Sequence, residues 1–238
     1  MCVLALAWQA HPRWRLVVAA NRDEYHDRAA APLARWPDDD GGLIAGRDLR
    51  AGGTWLAVRP GGRFAAVTNI RNPAGPDPTL RSRGALVADL AGGAMPAADA
   101  LAGYNPFNAV VVSAGSATFL GNRPHAVVRP LGGGLHAMSN GPLDPPWRKT
   151  TRLTRAMADW LDTPDNAIEQ LFACLRDPSP PDGTYDDPTE IFIADATYGT
   201  RCSTIVTVDR HGAGRIVERR YDRAGATTGE TAFAFAWG

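Results

Sequence analysis

Several features that assign a protein to a specialised class are scarce in this sequence. Its 238 residues include three cysteines and one lysine, and 25 basic residues balance 25 acidic ones. The sequence also contains no run of basic residues, so it shows no basic footprint for nucleic acid. No apolar run approaches the ~20 residues of a membrane-spanning helix, and the amino terminus lacks the pattern of a secretion signal. We therefore expect a cytoplasmic globular protein with no membrane span and no nucleic-acid partner.

The cysteines do not form a recognisable framework. Cys2, Cys174 and Cys202 are odd in number and have no CxxC spacing, so neither a disulfide scaffold nor a metal site is indicated. Cys174 and Cys202 fall in predicted helix and strand, where we expect small buried apolar side chains. Cys2 is therefore the cysteine that we consider for a chemical role.

Apolar patterns predict blocks of strands that enclose two helical blocks. The first hairpin joins Val3–Trp8 to residues 15–20 through a turn at His11 and Pro12, and a second joins residues 55–58 to residues 63–68. Ser82 is a candidate helix cap, and Trp147 begins a longer helical block that continues to Leu175. Further strands are predicted at residues 109–113, 118–120, 126–128, 191–194, 203–208 and 215–221. Residues 72–78 and 178–188 are expected to be surface loops.

This order of elements predicts one α+β domain over residues 1–238. Strand blocks around two helical blocks suit two antiparallel sheets packed face to face with helices outside, a four-layer αββα sandwich.

Polar side chains collect where the apolar strands stop. Pairing about a turn at residues 11 and 12 gives partner numbers that sum to about 23 or 24, which places Cys2 opposite Asn21 or Arg22. The strand that ends at Thr68 runs into Asn69, and the one that ends near Met138 runs into Asn140.

These residue types suit acyl transfer by an amino-terminal cysteine. Removal of Met1 would free the α-amine of Cys2, whose ordinary pKa of roughly 7.7–8.0 allows it to take the proton of its own thiol. Arg22 would favour the thiolate and Asp23 would orient the ammonium or the substrate. The amides of Asn69 and Asn140 would donate to an oxyanion.

Each of these residues also has a purely structural interpretation. Cysteines at position 2 are often incidental, asparagines at strand ends often cap turns, and residues 21–24 resemble a surface salt-bridge cluster. Only their joint placement favours a catalytic site.

Motifs along most of the chain carry a resemblance to a known family. They are Met1-Cys2, Asn21-Arg22-Asp23-Glu24, Gly46-Arg47-Asp48, Gly52-Gly53-Thr54-Trp55-Leu56, Gly62-Arg63-Phe64-Ala65, Thr68-Asn69, Ser82-Arg83-Gly84, Ser139-Asn140 with Trp147, and Tyr198-Gly199-Thr200-Arg201. In these the sequence resembles the NRDE family, which includes the transport and Golgi organisation protein 2 group.

That family is similar to cysteine N-terminal nucleophile hydrolases such as penicillin V acylase and bile salt hydrolase. The resemblance implies the catalytic residues Cys2, Arg22, Asp23, Asn69, Asn140 and Arg201. In those hydrolases the aspartate follows the arginine by three residues, whereas here Asp23 is adjacent and Tyr25 occupies the later position. Arg201 is matched by its late strand alone. Asn21, Trp55 and Trp147 are assigned to substrate binding, with core packing as the alternative for the tryptophans.

The resemblance therefore implies a hydrolase or acyltransferase that acts on an amide (C–N) or thioester carbonyl and requires no cofactor. Its alternative is a non-catalytic protein that binds and traffics haem or an acyl-CoA or lipid. For haem, the conceivable axial ligands are His26, His136 and Met138, although a CxxCH attachment motif is absent. The sequence leaves open the substrate, the fate of Met1, turnover against binding, and the oligomeric state.

Overall fold

The computed structural model describes residues 2–37, 42–113, 115–141, 146–177, 183–184 and 187–238. In chain order its elements are β1 (Val3–Trp8), β2 (Trp14–Tyr25), β3 (Ala30–Arg35), β4 (Ile44–Asp48), β5 (Leu56–Arg59), β6 (Arg63–Asn69), α1 (Arg83–Gly92), a 3₁₀ helix (Asp99–Gly103), β7 (Phe107–Ser113), β8 (Ser116–Gly121), β9 (Val127–Leu131), β10 (Gly134–Met138), α2 (Arg148–Leu161), α3 (Ile168–Leu175), β11 (Tyr198–Asp209), β12 (Ala213–Tyr221) and β13 (Thr227–Ala236).

The described residues divide into two compact units. The first runs to Asp27 and resumes over Gly133–Ala234, and the second comprises Arg28–Gly132 with Phe235–Gly238. A single domain over residues 1–238 stays a prediction.

The first unit is built on a six-stranded sheet in the order β10-β1-β2-β11-β12-β13. Helices α2 and α3 pack on one side of it, which we call the helix face. Leu153, Met157 and Phe172 of the helices contact Val3 and Val17 of the strands in one buried cluster. The fourfold spacing of apolar residues in α2 provides this contact surface, as predicted.

The opposite side of this sheet, which we call the far face, is also apolar. Leu4 and Leu6 of β1 and Leu16 and Val18 of β2 alternate with the residues that contact the helices, and all four are buried. Because side chains alternate along a strand, burial on both faces makes β1 a continuous apolar run. Residues paired across strands share a face, so the register determines which polar groups meet.

The hairpin register agrees with the predicted one. Val3 pairs with Asn21 and Leu6 with Val18, so partner numbers sum to 24. Continued by one residue, this register places Cys2 across from Arg22, on the far face.

The second unit is built on a seven-stranded sheet in the order β3-β4-β5-β6-β7-β8-β9. Leu86, Val87 and Leu90 of α1 pack on Ala57 and Ala65 of the sheet in a second buried cluster.

The ends of α1 have ordinary capping chemistry. The predicted cap Ser82 accepts a hydrogen bond from the Gly84 amide at 3.2 Å, and the left-handed Gly93 ends the helix at φ 103°. A Cβ on Gly53 would lie 2.3 Å from the Gly84 carbonyl carbon. The two glycine motifs are therefore explained by the close crossing of two backbones.

Some local predictions are wrong. Residues 191–194 form no strand, and only Ala194 makes an isolated bridge, with Gly199. Asp195 there accepts from the amides of Thr197 and Tyr198, a turn that brings the chain into β11. Strands β3 and β4 were not predicted. Residues 72–78 form the expected loop, whereas most of residues 178–188 lie outside the described residues.

The predicted α+β class, with two antiparallel sheets and accompanying helices, is confirmed. Within the described ranges, none of the helices has the length and apolar character needed to cross a membrane.

Candidate active site

Cys2 precedes β1 and is half-buried. Its thiol donates to the Asp23 carbonyl oxygen at 3.8 Å, and its own carbonyl oxygen accepts a 2.6 Å hydrogen bond from the Ser139 hydroxyl. Burial raises the pKa of the Cys2 thiol above its usual range, while the nearby Arg22 charge acts in the opposite direction. The thiol is held in place through both its side chain and its backbone.

Arg22 lies between two thiols. It is 5% exposed and pairs directly with Cys202 of β11, while the hairpin register places it across from Cys2. Burial and then the Glu218 carboxylate raise the pKa of the Cys202 thiol well above its usual range. The far face thus carries Cys2, Arg22 and Cys202 in a row across three strands.

Asp23 connects β2 to β11 through both its backbone and its side chain. Its carboxylate accepts a 2.8 Å hydrogen bond from the Thr200 hydroxyl, and its carbonyl oxygen accepts one from the Tyr198 hydroxyl at 2.9 Å. Thr200 is its cross-strand partner. Asp23 is 4% exposed. Its carboxylate would therefore have to orient an ammonium or substrate while buried.

Arg201 is the extra residue of a β-bulge. Thr200 pairs with Asp23 and Cys202 with Arg22, which leaves Arg201 without a counterpart on β2. Bulges re-aim side chains and are frequent beside active sites. One guanidinium nitrogen, Nη1, donates to the carbonyl oxygens of Tyr25 and His26, both at 3.1 Å.

The Nε atom of Arg201 differs from Nη1 in its hydrogen bonding. Nε is buried and makes no hydrogen bond in the part of the chain that the structure describes. Burial and then the charge of Arg22 lower the pKa of Arg201 from its usual value. A buried donor of this kind is uncommon in folded proteins.

Asn21 lies on the helix face, away from the thiols. Its amide nitrogen donates to the carbonyl oxygens of Leu175 and Ile191, both at 2.8 Å. Its amide oxygen accepts from Ser203 at 2.6 Å, and the Ser203 oxygen accepts from the Tyr221 hydroxyl at 3.1 Å. Both amide hydrogens are thus used inside the fold. Its assignment to substrate binding stays a prediction.

Asn140 and Trp147 lie after β10. The Ser139 oxygen that donates to Cys2 also lies 3.5 Å from the amide oxygen of Asn140, so Asn140 adjoins the Cys2 peptide. A Cβ on Gly141 would lie 2.4 Å from the Trp147 ring. The Trp147 ring therefore packs directly on the backbone that presents Asn140.

Asn69 and Trp55 belong to the second unit. Asn69 ends β6 opposite Phe107, and the Val67 amide donates to the Trp55 carbonyl oxygen at 2.9 Å. These two predicted site residues therefore share one end of the seven-stranded sheet.

The conceivable haem ligands differ in availability. Nε2 of His26 lies 2.9 Å from the Asp195 carbonyl oxygen. Because a carbonyl oxygen only accepts, this nitrogen carries the proton and cannot also bind iron. His136 and Met138 pair with Leu6 and Leu4 and so lie on the far face. In the described ranges, no group of three or more His, Cys, Asp or Glu side chains is arranged to hold a metal ion.

The sequence analysis assigned no individual role to several residues of this region. Ser139, Tyr198 and Thr200 stood only in quoted motifs, although each contacts Cys2 or Asp23. Lys149 was noted for its rarity alone. It is fully buried, with Nζ 5.7 Å from the Trp147 ring centroid.

Comparison with known proteins assigns the family. The family model for Transport and Golgi organisation 2 matches residues 1–223. The chain belongs to this family. It is 28% identical to the Transport and Golgi organization 2 homolog of Mus musculus, an alignment that covers 92% of each chain. It is also 28% identical to the homolog of Bos taurus, with 97% of each chain covered. The predicted NRDE-family membership is confirmed.

A solved structure shares the fold. The Caenorhabditis elegans N-acylethanolamine-hydrolyzing acid amidase ortholog superposes with a TM-score of 0.50 at 12% identity, covering 86% of this chain and 92% of that one. At this identity the likeness is one of fold alone. The predicted N-terminal nucleophile hydrolase fold is therefore confirmed.

Proposed function

We propose that this protein is a cysteine-dependent hydrolase or acyltransferase that acts on an amide or thioester carbonyl, with Cys2 as the nucleophile. The observation that carries the proposal is the placement of the Cys2 thiol, held by Asp23 and Ser139 at the head of β1 and across from the buried cation Arg22. Membership of a family with a hydrolase fold supports it. A cytoplasmic location and a small-molecule substrate are parts of the same proposal.

The proposed reaction requires the free amine of Cys2. After removal of Met1, that amine takes the thiol proton as the sulfur attacks the carbonyl carbon. The C–N or C–S bond then breaks, and the leaving group takes the proton from the ammonium. Water or an acceptor attacks the acyl-cysteine, which releases the acid or the transferred acyl product and restores the thiol.

An amide donor would stabilise the oxyanion of each step. Asn140 adjoins the Cys2 peptide and is the candidate for this role. One such donor is typically worth about 3 kcal/mol in the transition state. The fold neighbour hydrolyses an N-acylethanolamine, and we extend that class, an N-acyl amide, to this chain as the first substrate to assay.

A non-catalytic carrier of haem or an acyl-lipid is the second candidate. The raised pKa of the Cys2 thiol favours it, since a neutral thiol is a poor nucleophile. His136 and Met138 lie on the same face as that thiol and would be the residues to ligate iron.

Acylation of the native protein distinguishes the cysteine-dependent enzyme from the non-catalytic carrier. We expect intact mass to show loss of Met1, and a p-nitrophenyl ester to place one acyl group on Cys2. Cys2→Ala should lower turnover by at least about a thousandfold, as loss of a nucleophile does, whereas the control Cys174→Ala should not. Full activity in Cys2→Ala would exclude the enzyme. Haem binding that His136→Ala abolishes, with no acylation of Cys2, would support the carrier.

A further inference from the structure

The Asp23 carbonyl oxygen accepts two hydrogen bonds from side chains far apart in sequence. The Cys2 thiol donates to it at 3.8 Å and the Tyr198 hydroxyl at 2.9 Å. The Tyr198 hydroxyl and the Cys2 thiol thus share one acceptor, the Asp23 carbonyl oxygen. The proposed reaction assigns Tyr198 no role.

Ionisation of Cys2 changes the electrostatic interaction between its sulfur and the Asp23 carbonyl oxygen. The thiol loses its hydrogen, so the new sulfur anion faces the negative end of the carbonyl dipole. A phenol that continues to donate to the same oxygen withdraws electron density from it and lessens this repulsion. This effect favours the thiolate.

The Tyr198 ring is held in place for this contact. Tyr198 begins β11 and pairs with Tyr25, and the two rings meet edge to face with centroids 5.1 Å apart. Its amide nitrogen donates to the Asp195 carboxylate at 3.4 Å. The hydroxyl is therefore directed by two strands and a turn. We propose that Tyr198 is a positioning residue that supports ionisation of Cys2 through the Asp23 carbonyl.

Other charged groups also face the thiol and must be held constant in a test. The charged amino terminus lowers the pKa of the Cys2 thiol most among these groups. From β2 the charged groups are the Arg22 guanidinium and the Asp23 carboxylate, and from β11 the group is the Cys202 thiol, whose ionisation is coupled to that of Cys2. Next to β10, Ser139 contributes an uncharged hydroxyl. Tyr198→Phe leaves all of these unchanged and removes one oxygen atom.

The chain offers a matched control. The Tyr221 hydroxyl also donates a buried hydrogen bond, at 3.1 Å to Ser203, but on the helix face in the Asn21 network. Tyr221→Phe therefore removes the same group at comparable cost in stability without touching the acceptor of Cys2.

The experiment measures the rate at which iodoacetamide alkylates Cys2, as a function of pH, in the full-length protein. Peptide mass spectrometry separates Cys2 from Cys174 and Cys202. We expect Tyr198→Phe to move the apparent pKa of Cys2 upward by about half a unit, and Tyr221→Phe to leave it unchanged. Urea unfolding of both variants verifies that the fold is retained.

An unchanged pKa in Tyr198→Phe, or an equal shift in Tyr221→Phe, would overturn the inference. The inference rests on Cys2 acting as the nucleophile, but alkylation needs no turnover. A chain with a shifted pKa and no acyl-enzyme would therefore contradict the proposed function alone, and one with acylation but no shift would contradict the role of Tyr198 alone.

Discussion

Asn21 and Arg22 are neighbours in sequence, yet they serve opposite faces of the six-stranded sheet. Asn21 lies on the helix face, where its amide binds the end of α3, the Ile191 carbonyl and Ser203. Arg22 lies on the far face between two thiols. Alternation along β2 therefore divides one short motif into a residue that binds the helix-face backbone and a residue that faces Cys2 and Cys202. Substitutions on the two faces should affect different properties.

The largest effect is expected on the helix face. Asn21→Ala removes the donors to two buried carbonyl oxygens, and an orphaned buried group costs about 1–3 kcal/mol. We expect the free energy of unfolding in urea to fall by about 3–4 kcal/mol. Asn72→Ala is the control, because its amide donates to Gly75 in an exposed loop and its loss should cost under about 1 kcal/mol. Equal losses in the two variants would contradict the structural role of Asn21.

A pH effect of intermediate size is expected from Cys202 on the far face. Burial raises its thiol pKa in the folded protein, so above the ordinary thiol pKa the unfolded chain releases a proton that the folded one keeps. The unfolded state then binds fewer protons, and stability must fall as pH rises, by about 1.4 kcal/mol per pH unit for one group. This loss continues until the pH reaches the folded-state pKa.

The measurement compares urea unfolding of the wild type and Cys202→Ala at neutral pH and at two alkaline pH values. The raised pKa values of Tyr221 and Cys2 act in both proteins, so the difference between the two profiles reports Cys202 together with its coupling to those groups. We expect the wild-type profile to fall more steeply. Parallel profiles would show that ionisation of this thiol differs little between folded and unfolded chains.

The sequence predicted contacts between residues that are close in sequence better than contacts between residues that are far apart. The first hairpin is local, so its turn and alternation were enough to place Cys2 across from Arg22. The fourfold stripe of α2 predicted its packing for the same reason. The β-bulge at Arg201 depends on the register between strands far apart in sequence, which a single sequence does not display. Strands β3 and β4 were missed because they carry weak apolar alternation.

The mistaken strand at residues 191–194 has a related cause. Its apolar residues Ile191 and Ile193 suggest a strand, but their backbone is bound by side chains: Asn21 donates to the Ile191 carbonyl oxygen and Thr200 accepts from the Ile193 amide. Hydrogen bonds from distant side chains therefore replace a strand ladder. Such contacts are set by tertiary structure, which local propensity does not encode.

The smallest effect expected is that of the Arg22 charge on Cys2. It opposes burial in setting the thiol pKa, and it acts across a strand pair. Arg22→Gln should therefore slow alkylation of Cys2 at neutral pH by about threefold, equivalent to about half a pKa unit. Arg22→Lys keeps the charge and should restore most of the rate, which a merely structural role would not predict because lysine lacks the guanidinium fork. Equal rates in the wild type and Arg22→Gln would mean that the cation serves the fold, and the contrast between the two faces of β2 would then be lost.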